Sequence, residues 1–481
     1  MQIARLSLLA LGAGCFAGCG DNGNNRAAPD GALPDAPTPD TASPDAHVGF
    51  DVNSCAGVST DHCIEIAGGD AAALQTAVNT IGANTTLVLG EGTFMMTNGL
   101  AIHTAGTHII GQGIDKTILD YSHLVVQSEG ITAIGDDFLV QDLTVRDSPK
   151  DGIRVESSVG VVYRRIRATW STPSQTSNGA YGIYPVKSKN VLVENSRAEN
   201  AADAGLYVGQ CQHVIVRNNV VTGNVAGLEI ENTEYAEVYG NTAEDNTGGI
   251  VVFDLPGNPI IGRDVWLHDN VIRNNNHVNF GAVGTTVSTI PVGTGTFAMA
   301  SRRVQITNNT YENNKTGDIA LLSGLVIDKV QAHWTLPTAS LTGDFSDLGL
   351  MDGAEPNTVM NFRSQNIVVS GNHHSGSGTD PDLANLLGIG LLFAGYYGPL
   401  GLPVDNVLYD AMGEIFDSTD PAINTNLNNM CVGGNTEGTF ASFDLADQGG
   451  DTVVPFFRPD KPFAPYQCLS IEPPVQSVVL P

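Results

Sequence analysis

Three near copies of one pattern decide the fold: NVLVENSRAENAADAGLYVGQ (190–210), HVIVRNNVVTGNVAGLEIEN (213–232) and AEVYGNTAEDNTGGIVVFD (236–254). Each copy has alternating apolar residues, an Asn, a polar turn, a second Asn, a Gly and then alternating apolar residues again. The glycines at 205, 227 and 249 lie 22 residues apart. A fixed period of this length is typical of stacked supersecondary units rather than of a conventional globular core. The pattern therefore predicts a parallel β-helix.

Alternation along the strand after each Gly predicts which side chains point into the stack, because successive residues on a strand face opposite sides. The residues predicted to be buried are Ile153, Val155, Ile183, Leu206, Val208, Leu228, Ile230, Ile250 and Val252. The residues between them should point outward, one above another, at a rung spacing of roughly 4.8 Å. The recurring asparagines should form a hydrogen-bonded ladder at the turns, and they are Asn219, Asn241, Asn270 and Asn309.

The strings GAYGIYPVKSKNVLVENS (179–196), DAGLYVGQ (203–210), NVAGLEIEN (224–232) and NTGGIVVFDLP (246–256) carry a family resemblance. They resemble exported, lipoprotein-type parallel β-helix repeat proteins. More distantly, the chain is similar to the pectin-lyase-like superfamily, which includes uronate lyases, polygalacturonases and alginate epimerases. The resemblance runs from about residue 68 to 410. It implies an all-β fold, a single-stranded right-handed parallel β-helix, and it implies the chemistry only weakly, because one fold hosts many functions.

Four segments are expected along the chain. Residues 1–18 read as a lipoprotein-type export signal, with one Arg, an apolar run and small residues before Cys19, the predicted lipidation site. Residues 19–50 repeat Pro-Asp every five residues and predict a semi-rigid acidic tether. Residues 51–410 form the β-helix domain, opened by a capping helix that starts at Asp70. Residues 411–481 form an irregular C-terminal cover.

This organisation predicts an exported protein, lipid-anchored in the bacterial envelope (outer membrane or periplasm) or simply secreted. Its membrane contact would be only through the lipid, and we expect a monomer. The formal net charge of −29 argues against a nucleic-acid partner. Cys55 with Cys63, and Cys431 with Cys468, could form disulfides in an oxidising compartment. The histidines show no metal-ligand spacing, so no metal ligands are predicted.

The outward residues of the aligned strands form a candidate polar strip, flanked by insertions at 169–178, 255–262 and 274–295. Two classes of residue are predicted there. The predicted catalytic residues are Lys150, Arg154, Tyr184, Lys187, Tyr207 and Glu229. The predicted substrate-binding residues are Asp151, Trp170, Gln210, Glu231 and Asp254. Such a strip spans several sugar rings, which bind through aromatic faces and paired polar groups.

Three functions remain open. In the first, which we favour, the protein removes a proton beside a uronate carboxylate: Arg154 with a lysine neutralises the carboxylate, and Tyr184 or Tyr207, activated by the cation, relays the proton. The alginate epimerase motif Asp-Pro-His-Asp and an acidic calcium cluster are not recognisable, and calcium stays open as a cofactor. In the second, Glu229 and Glu231 form a glycosidase pair. In the third, the protein is a tethered module that binds a glycan or an exported protein.

Overall fold

The computed structural model describes residues 53–124, 126–344, 355–415, 420–443 and 465–481. The predicted signal, the tether and Cys19 lie outside these residues. The described chain winds as a parallel β-helix in which three columns of parallel strands run along the stack. In the repeats identified from the sequence, each coil contributes one strand to each column.

Column 1 is an 11-stranded parallel sheet that contains the strands after the repeated glycines. Its strands are Leu100–Ile102, Ile131–Ala133, Ile153–Glu156, Tyr181–Val186, Ala204–Gly209, Ala226–Glu231, Gly248–Phe253, Thr294–Met299, Gly317–Leu322, Val407–Asp410 and Phe440–Phe443.

Columns 2 and 3 share two long strands, Phe138–Arg146 and Val159–Thr169, which pass through both. The other strands of column 2 are His62–Ile66, Thr85–Leu89, Thr107–Ile110, Lys189–Glu194, Gln212–Arg217, Glu234–Tyr239, Arg263–His268, Arg302–Thr307, Gln365–Ser370 and Met430–Gly433. The other strands of column 3 are Gly92–Met95, Thr117–Asp120, Arg197–Glu199, Val220–Thr222, Thr242–Glu244, Val271–Arg273, Thr310–Glu312 and His373–Ser375.

The predicted register is confirmed. All nine residues expected to point into the stack are at most 3% exposed and belong to one continuous core. Adjacent coils align as the repeat predicts, so Leu206 pairs with Leu228 and Leu228 pairs with Ile250.

Two asparagine ladders hold successive coils together. In the predicted ladder, the Asn219 side-chain amide donates to Asn241 Oδ1 over 2.9 Å, and Asn241 donates to Asn270 Oδ1 over 3.0 Å. The ladder then continues through Asn309 to Asn372. A parallel ladder uses the second Asn of each repeat, and its members are Asn224, Asn246, Asn275 and Asn314. Each buried amide therefore finds a partner on a neighbouring coil.

The helix Ala71–Thr80 closes the N-terminal end of the stack. The Asp70 carboxylate accepts a hydrogen bond from the Ala73 amide over 2.9 Å, which is the predicted N-cap. Its apolar face joins the core through Leu74, Ala77 and Val78.

At the other end, strands continue past residue 410. Met430–Gly433 extends column 2 and Phe440–Phe443 extends column 1, so part of the expected irregular cover is β-helix. Tyr466 is fully buried against Phe440 and Tyr409. The final residues lie along the outer face of column 2, where the Val478 amide donates to Glu237. The disulfides Cys55–Cys63 and Cys431–Cys468 are present.

Long insertions cover much of the outer face of column 1. An outer apolar cluster contains Tyr207, Phe253 and Met299 of column 1 together with residues from two insertions. Those insertion residues are Phe280, Val287, Ile290, Leu325, Trp334 and Phe362.

Shorter elements lie in or beside these covering segments. They are the helix Ile389–Tyr397, the antiparallel pair Thr335–Pro337 and Thr358–Met360, and the 3-10 turns Val287–Thr289, Gly324–Val326, Gln331–Trp334, Thr338–Ser340, Gly398–Leu400 and Pro421–Ile423. Phe393 and Tyr397 of the helix Ile389–Tyr397 pack against Leu408 and Phe443 of the stack. No helix among the described residues is long and apolar enough to cross a membrane.

Candidate active site

The predicted polar strip divides into an open part and a covered part. Arg154 and Tyr184 are half-buried and reach solvent at the edge of the covering segments. Tyr207 and Glu229 point outward from the stack as predicted, but they are only 5% and 2% exposed. The expectation of a continuous solvent-facing strip is therefore wrong, because the insertions pack over its C-terminal half. The open part comprises Arg154, Glu156, Tyr184 and Lys187, and Asp151 adjoins it but is only 8% exposed. We call these five residues the Arg154 site.

Arg154 is the centre of the open part. Its guanidinium donates from Nη2 to the Glu156 carboxylate over 2.5 Å, and Nη1 lies 3.8 Å from a Glu129 oxygen. Its Nε is buried and has no hydrogen-bond partner among the described residues. Lys187 Nζ lies 3.5 Å from the other Glu156 oxygen. Two cations therefore share one carboxylate, and the Arg154 donor that lacks a partner is a buried one.

Three tyrosines pack together beside Arg154. The ring centroids of Tyr181, Tyr184 and Tyr207 lie 4.5 to 4.9 Å apart, within the range of favourable aromatic contacts. The Tyr207 ring also lies against Gly209 of its own strand, where any larger side chain would collide with it. The cluster forms a rigid aromatic wall whose accessible members are Tyr181 and Tyr184.

Two carboxyl groups beside the tyrosines titrate near neutrality. Burial raises the pKa of Asp151 to about 6, partly opposed by the hydrogen bond from the Tyr181 amide. Burial, with the nearby charges of Glu231 and Asp151, raises the pKa of Asp203 to about 7. A pKa close to the working pH is what a general acid or base requires. Asp151, predicted as a substrate-binding residue, thus has the protonation behaviour of a proton carrier.

The tyrosines do not have the protonation behaviour that was expected. Burial raises the pKa of Tyr184 to about 12, and the opposing effect of Arg154 is smaller. Burial raises the pKa of Tyr207 still further. Activation of either phenol as a base by the neighbouring cation is therefore wrong, since desolvation outweighs the charge. At neutral pH, Tyr184 can only donate a proton.

The glutamates of the hydrolase hypothesis are covered. Glu229 contacts Phe253 and Ile290 in a pocket beneath the insertions, and burial raises its pKa well above the usual range. Glu231 accepts a hydrogen bond from Asn258 over 3.0 Å and is 8% exposed. Glu229 is almost fully covered and Glu231 is held by Asn258, so the structure does not support them as a glycosidase pair.

Other predicted residues are scattered. Trp170 is 4% exposed and donates its ring N–H to the Ser148 carbonyl, so it packs under its loop instead of presenting a sugar platform. Asp254 is buried and accepts hydrogen bonds from Asn361 and the Gly262 amide, which is a structural role. Lys150 is exposed beside Asp151, and Gln210 is half-exposed at the turn after its strand.

Sequence reasoning missed Tyr181, Glu129 and Asp203. Tyr181 and Asp203 stand just before the column 1 strand positions that were aligned, and Glu129 precedes an early coil whose register was not assigned. The signal available was Asp203 itself, an acid where the next two repeats have Val225 and Thr247.

The described residues do not form a metal-binding cluster of three or more acidic, His or Cys side chains. Cys211 is buried and burial raises its pKa to about 12, consistent with a packed thiol and not with a nucleophile.

Residues 105–265 and 176–327 match the family model described as a right handed beta helix region. This part of the chain is a right-handed β-helix region, in agreement with its parallel columns, and the predicted fold class is confirmed. No curated protein matches the sequence.

Several solved structures are similar in fold. The A-module of an Azotobacter vinelandii mannuronan C-5 epimerase is 14% identical and has a TM-score of 0.43, with 78% of this chain and 94% of that chain covered. A polygalacturonase from Erwinia carotovora is 11% identical and has a TM-score of 0.40, with 66% of this chain and 92% of that chain covered. A Paenibacillus alginate lyase is 14% identical and has a TM-score of 0.28, with 55% of this chain and 94% of that chain covered.

Proposed function

We propose that the protein acts on an acidic polysaccharide at the Arg154 site, by proton transfer of the kind that uronate lyases and epimerases perform. The observation that carries this proposal is the meeting of three groups at the Arg154 site. They are a buried carboxyl group whose pKa burial raises to about 6 (Asp151), a half-buried guanidinium (Arg154) and a protonated phenol (Tyr184).

The chemistry assigns one role to each group. The Asp151 carboxylate removes the proton from C5 of a uronate, and the bonding electrons move into the sugar carboxylate. Arg154, with Lys150 and Lys187 at the rim, stabilises the charge that develops there. Tyr184 then donates a proton. In an epimerase the Tyr184 proton goes to the opposite face of C5, whereas in a lyase the C4–O bond breaks and the Tyr184 proton goes to the leaving oxygen; Asp151 keeps the C5 proton until it exchanges with solvent.

A non-catalytic glycan-binding module is the second candidate. It is favoured by Glu129 and Glu156, which already neutralise part of the charge on Arg154. In that case the tyrosine wall and Lys187 would hold a glycan without altering it, and an exported protein remains possible as an alternative partner. Calcium would act as a bridge between sugar carboxylates and the acidic protein.

One assay separates these functions. The full chain is incubated with a panel of polyuronates and neutral glycans, with and without calcium. The readouts are absorbance of unsaturated products, reducing ends and NMR of the C5 proton. Lyase activity gives unsaturated ends, epimerase activity changes C5 without new ends, and hydrolysis gives reducing ends without unsaturation. A module that only binds leaves every polymer intact but retains at least one of them in affinity electrophoresis.

We further propose that the protein is exported, lipid-anchored at Cys19 in the bacterial envelope or secreted, and monomeric. The support is the signal-like start and the acidic tether. Metabolic labelling with palmitate should mark the parent and not Cys19→Ser. Equal labelling of both would contradict the anchor.

A further inference from the structure

An apolar pocket lies beneath the insertions. Its floor is the outer face of column 1, where Glu229, Phe253, Phe297 and Leu322 contribute side chains. Its roof includes Ile290 of the 274–295 insertion, and Ile389 at the start of the helix Ile389–Tyr397 lies at its side. We call this space the Glu229 pocket. A second apolar hollow shares Pro291, Phe297, Leu322 and Ile389 with it, so the two spaces adjoin.

One polar group stands out in this apolar wall. Glu229 is 2% exposed, and its Oε1 has no hydrogen-bond partner in the described part of the chain. Burying a carboxyl group without a partner is costly, and native proteins rarely leave such an atom unsatisfied. Burial and the nearby acids Asp203 and Glu231 raise the pKa of Glu229 well above its usual range.

The pocket adjoins a groove on the surface. An outer groove shares Thr286, Thr289, Ile327 and Leu387 with the Glu229 pocket. Its rim carries Val283 and Leu386, which are 92% and 66% exposed. The groove thus places an apolar rim next to the apolar pocket.

We propose that the Glu229 pocket binds a small hydrophobic alcohol whose hydroxyl group pairs with the Glu229 carboxyl group. The apolar walls favour a hydrocarbon body. A hydroxyl group both donates and accepts, so it can pair with the Glu229 carboxyl group in either protonation state. An amine would ionise Glu229 and place an ion pair in an apolar space, which carries a large desolvation cost. This inference does not depend on the proposed polysaccharide chemistry.

The test uses displacement of the fluorescent probe N-phenyl-1-naphthylamine from the full chain by benzyl alcohol and by toluene. Benzyl alcohol carries a hydroxyl group that toluene lacks. In Glu229→Gln the hydrogen-bonding group is kept, and in Glu229→Leu it is removed. We expect both compounds to displace the probe from the parent. The affinity for benzyl alcohol relative to toluene should fall roughly 3- to 10-fold in Glu229→Leu and by much less in Glu229→Gln, as expected for loss of one hydrogen bond.

Variants that fill the Glu229 pocket test whether the compounds bind there. Leu322→Phe narrows both hollows, and Ile389→Phe narrows them from a half-exposed helix end that tolerates a larger side chain. Displacement by both compounds should weaken in whichever of the two variants retains the parental unfolding transition. Failure of benzyl alcohol to displace the probe from the parent would overturn the proposal. The proposal would also be overturned if folded pocket-filling variants bound both compounds as the parent does. It would likewise be overturned if Glu229→Leu kept the parental affinity for benzyl alcohol relative to toluene.

Discussion

The guanidinium carbon of Arg154 lies 5.4 Å from the centre of the Tyr184 ring. The two residues are register partners on adjacent coils of column 1, so the contact follows directly from the strand pairing. A cation over an aromatic face is attractive, and here it fixes the side of Tyr184 that faces solvent. The pair places a fixed positive charge beside a phenol that remains protonated at neutral pH.

Tyr184→Phe tests the proton-donor role. The change keeps the aromatic contact with Arg154 and removes only the hydroxyl group. We expect the rate on the polyuronate substrate to fall on the order of a hundredfold or more, with the fold intact. Tyr207→Phe is the matched control, since its ring belongs to the same cluster but its hydroxyl group is covered. An equal loss of rate in both variants would show that the tyrosine cluster acts through packing and not through the Tyr184 proton.

Stability should fall as the pH rises through neutrality. The folded-state pKa values of Asp151 and Asp203, about 6 and 7, lie above those of unfolded aspartates. The folded chain therefore binds more protons, and unfolding releases them between about pH 4 and 7. The free energy of unfolding should decrease over this window, and Asp203 alone contributes roughly 2 to 4 kcal/mol.

Denaturant unfolding at pH 5 and pH 8 measures this effect. Asp203→Asn should reduce the difference between the two pH values, whereas the exposed Asp115→Asn should leave it unchanged. On the acid side, the ion-paired Asp120 and Glu194 have lowered pKa values, so their contribution is lost as the pH falls below about 4. A parent that is equally stable at pH 5 and pH 8 would contradict the raised pKa values of Asp151 and Asp203.

The interior of the stack could be predicted from the sequence because both of its determinants are local and periodic. Alternation sets the inward positions, so Leu228 and Ile230 were assigned to the core without knowledge of their neighbours. Asn219 and Asn241 recur at one point of the turn, and their side chains can reach the next coil. The Asp70 N-cap could be predicted because an acidic residue directly precedes a helical pattern of apolar residues.

The cover over column 1 could not be predicted in the same way, because the insertions carry no repeat and their contacts are distant in sequence. Ile290 and Trp334 reach the sheet from loops whose paths no period defines. A signal was nevertheless present. The outward column continues from Glu229 to Val251 and Phe297, and apolar residues at outward positions indicate a covered face. Covering also raised the phenol pKa values, which reversed the role expected of Tyr184.

Ile230→Asp tests the register of the core. Ile230 is 1% exposed between two coils, so the substitution buries an unpaired charge. We expect a loss of at least about 4 kcal/mol, or an insoluble protein. Val159→Asp is the matched control, because Val159 lies on a strand of column 2 and is 44% exposed. A soluble Ile230→Asp protein with the parental unfolding midpoint would contradict the assigned register.

Asn241→Ala tests the ladder. The Asn241 side chain accepts from the backbone and side-chain amides of Asn219 and donates to the Val216 carbonyl and to Asn270 Oδ1. Its removal leaves several buried polar groups unpaired, at about 1 to 3 kcal/mol each. Thermal and denaturant unfolding should show a loss of roughly 3 kcal/mol or more. The exposed Asn98→Ala should be neutral, and a similarly small effect at Asn241 would mean that the ladder is not stabilising.

The most direct measurement of the central claim is removal of the uronate C5 proton, followed by NMR in deuterated buffer with each polyuronate, with and without calcium. This step is common to lyases and epimerases, so the result does not depend on which of them the protein is. We predict that the parent removes the proton from at least one polyuronate and that Asp151→Asn, a nearly isosteric change, lowers the rate on the order of a hundredfold or more. Retention of the C5 proton by every polymer, or an Asp151→Asn protein as active as the parent, would contradict the account.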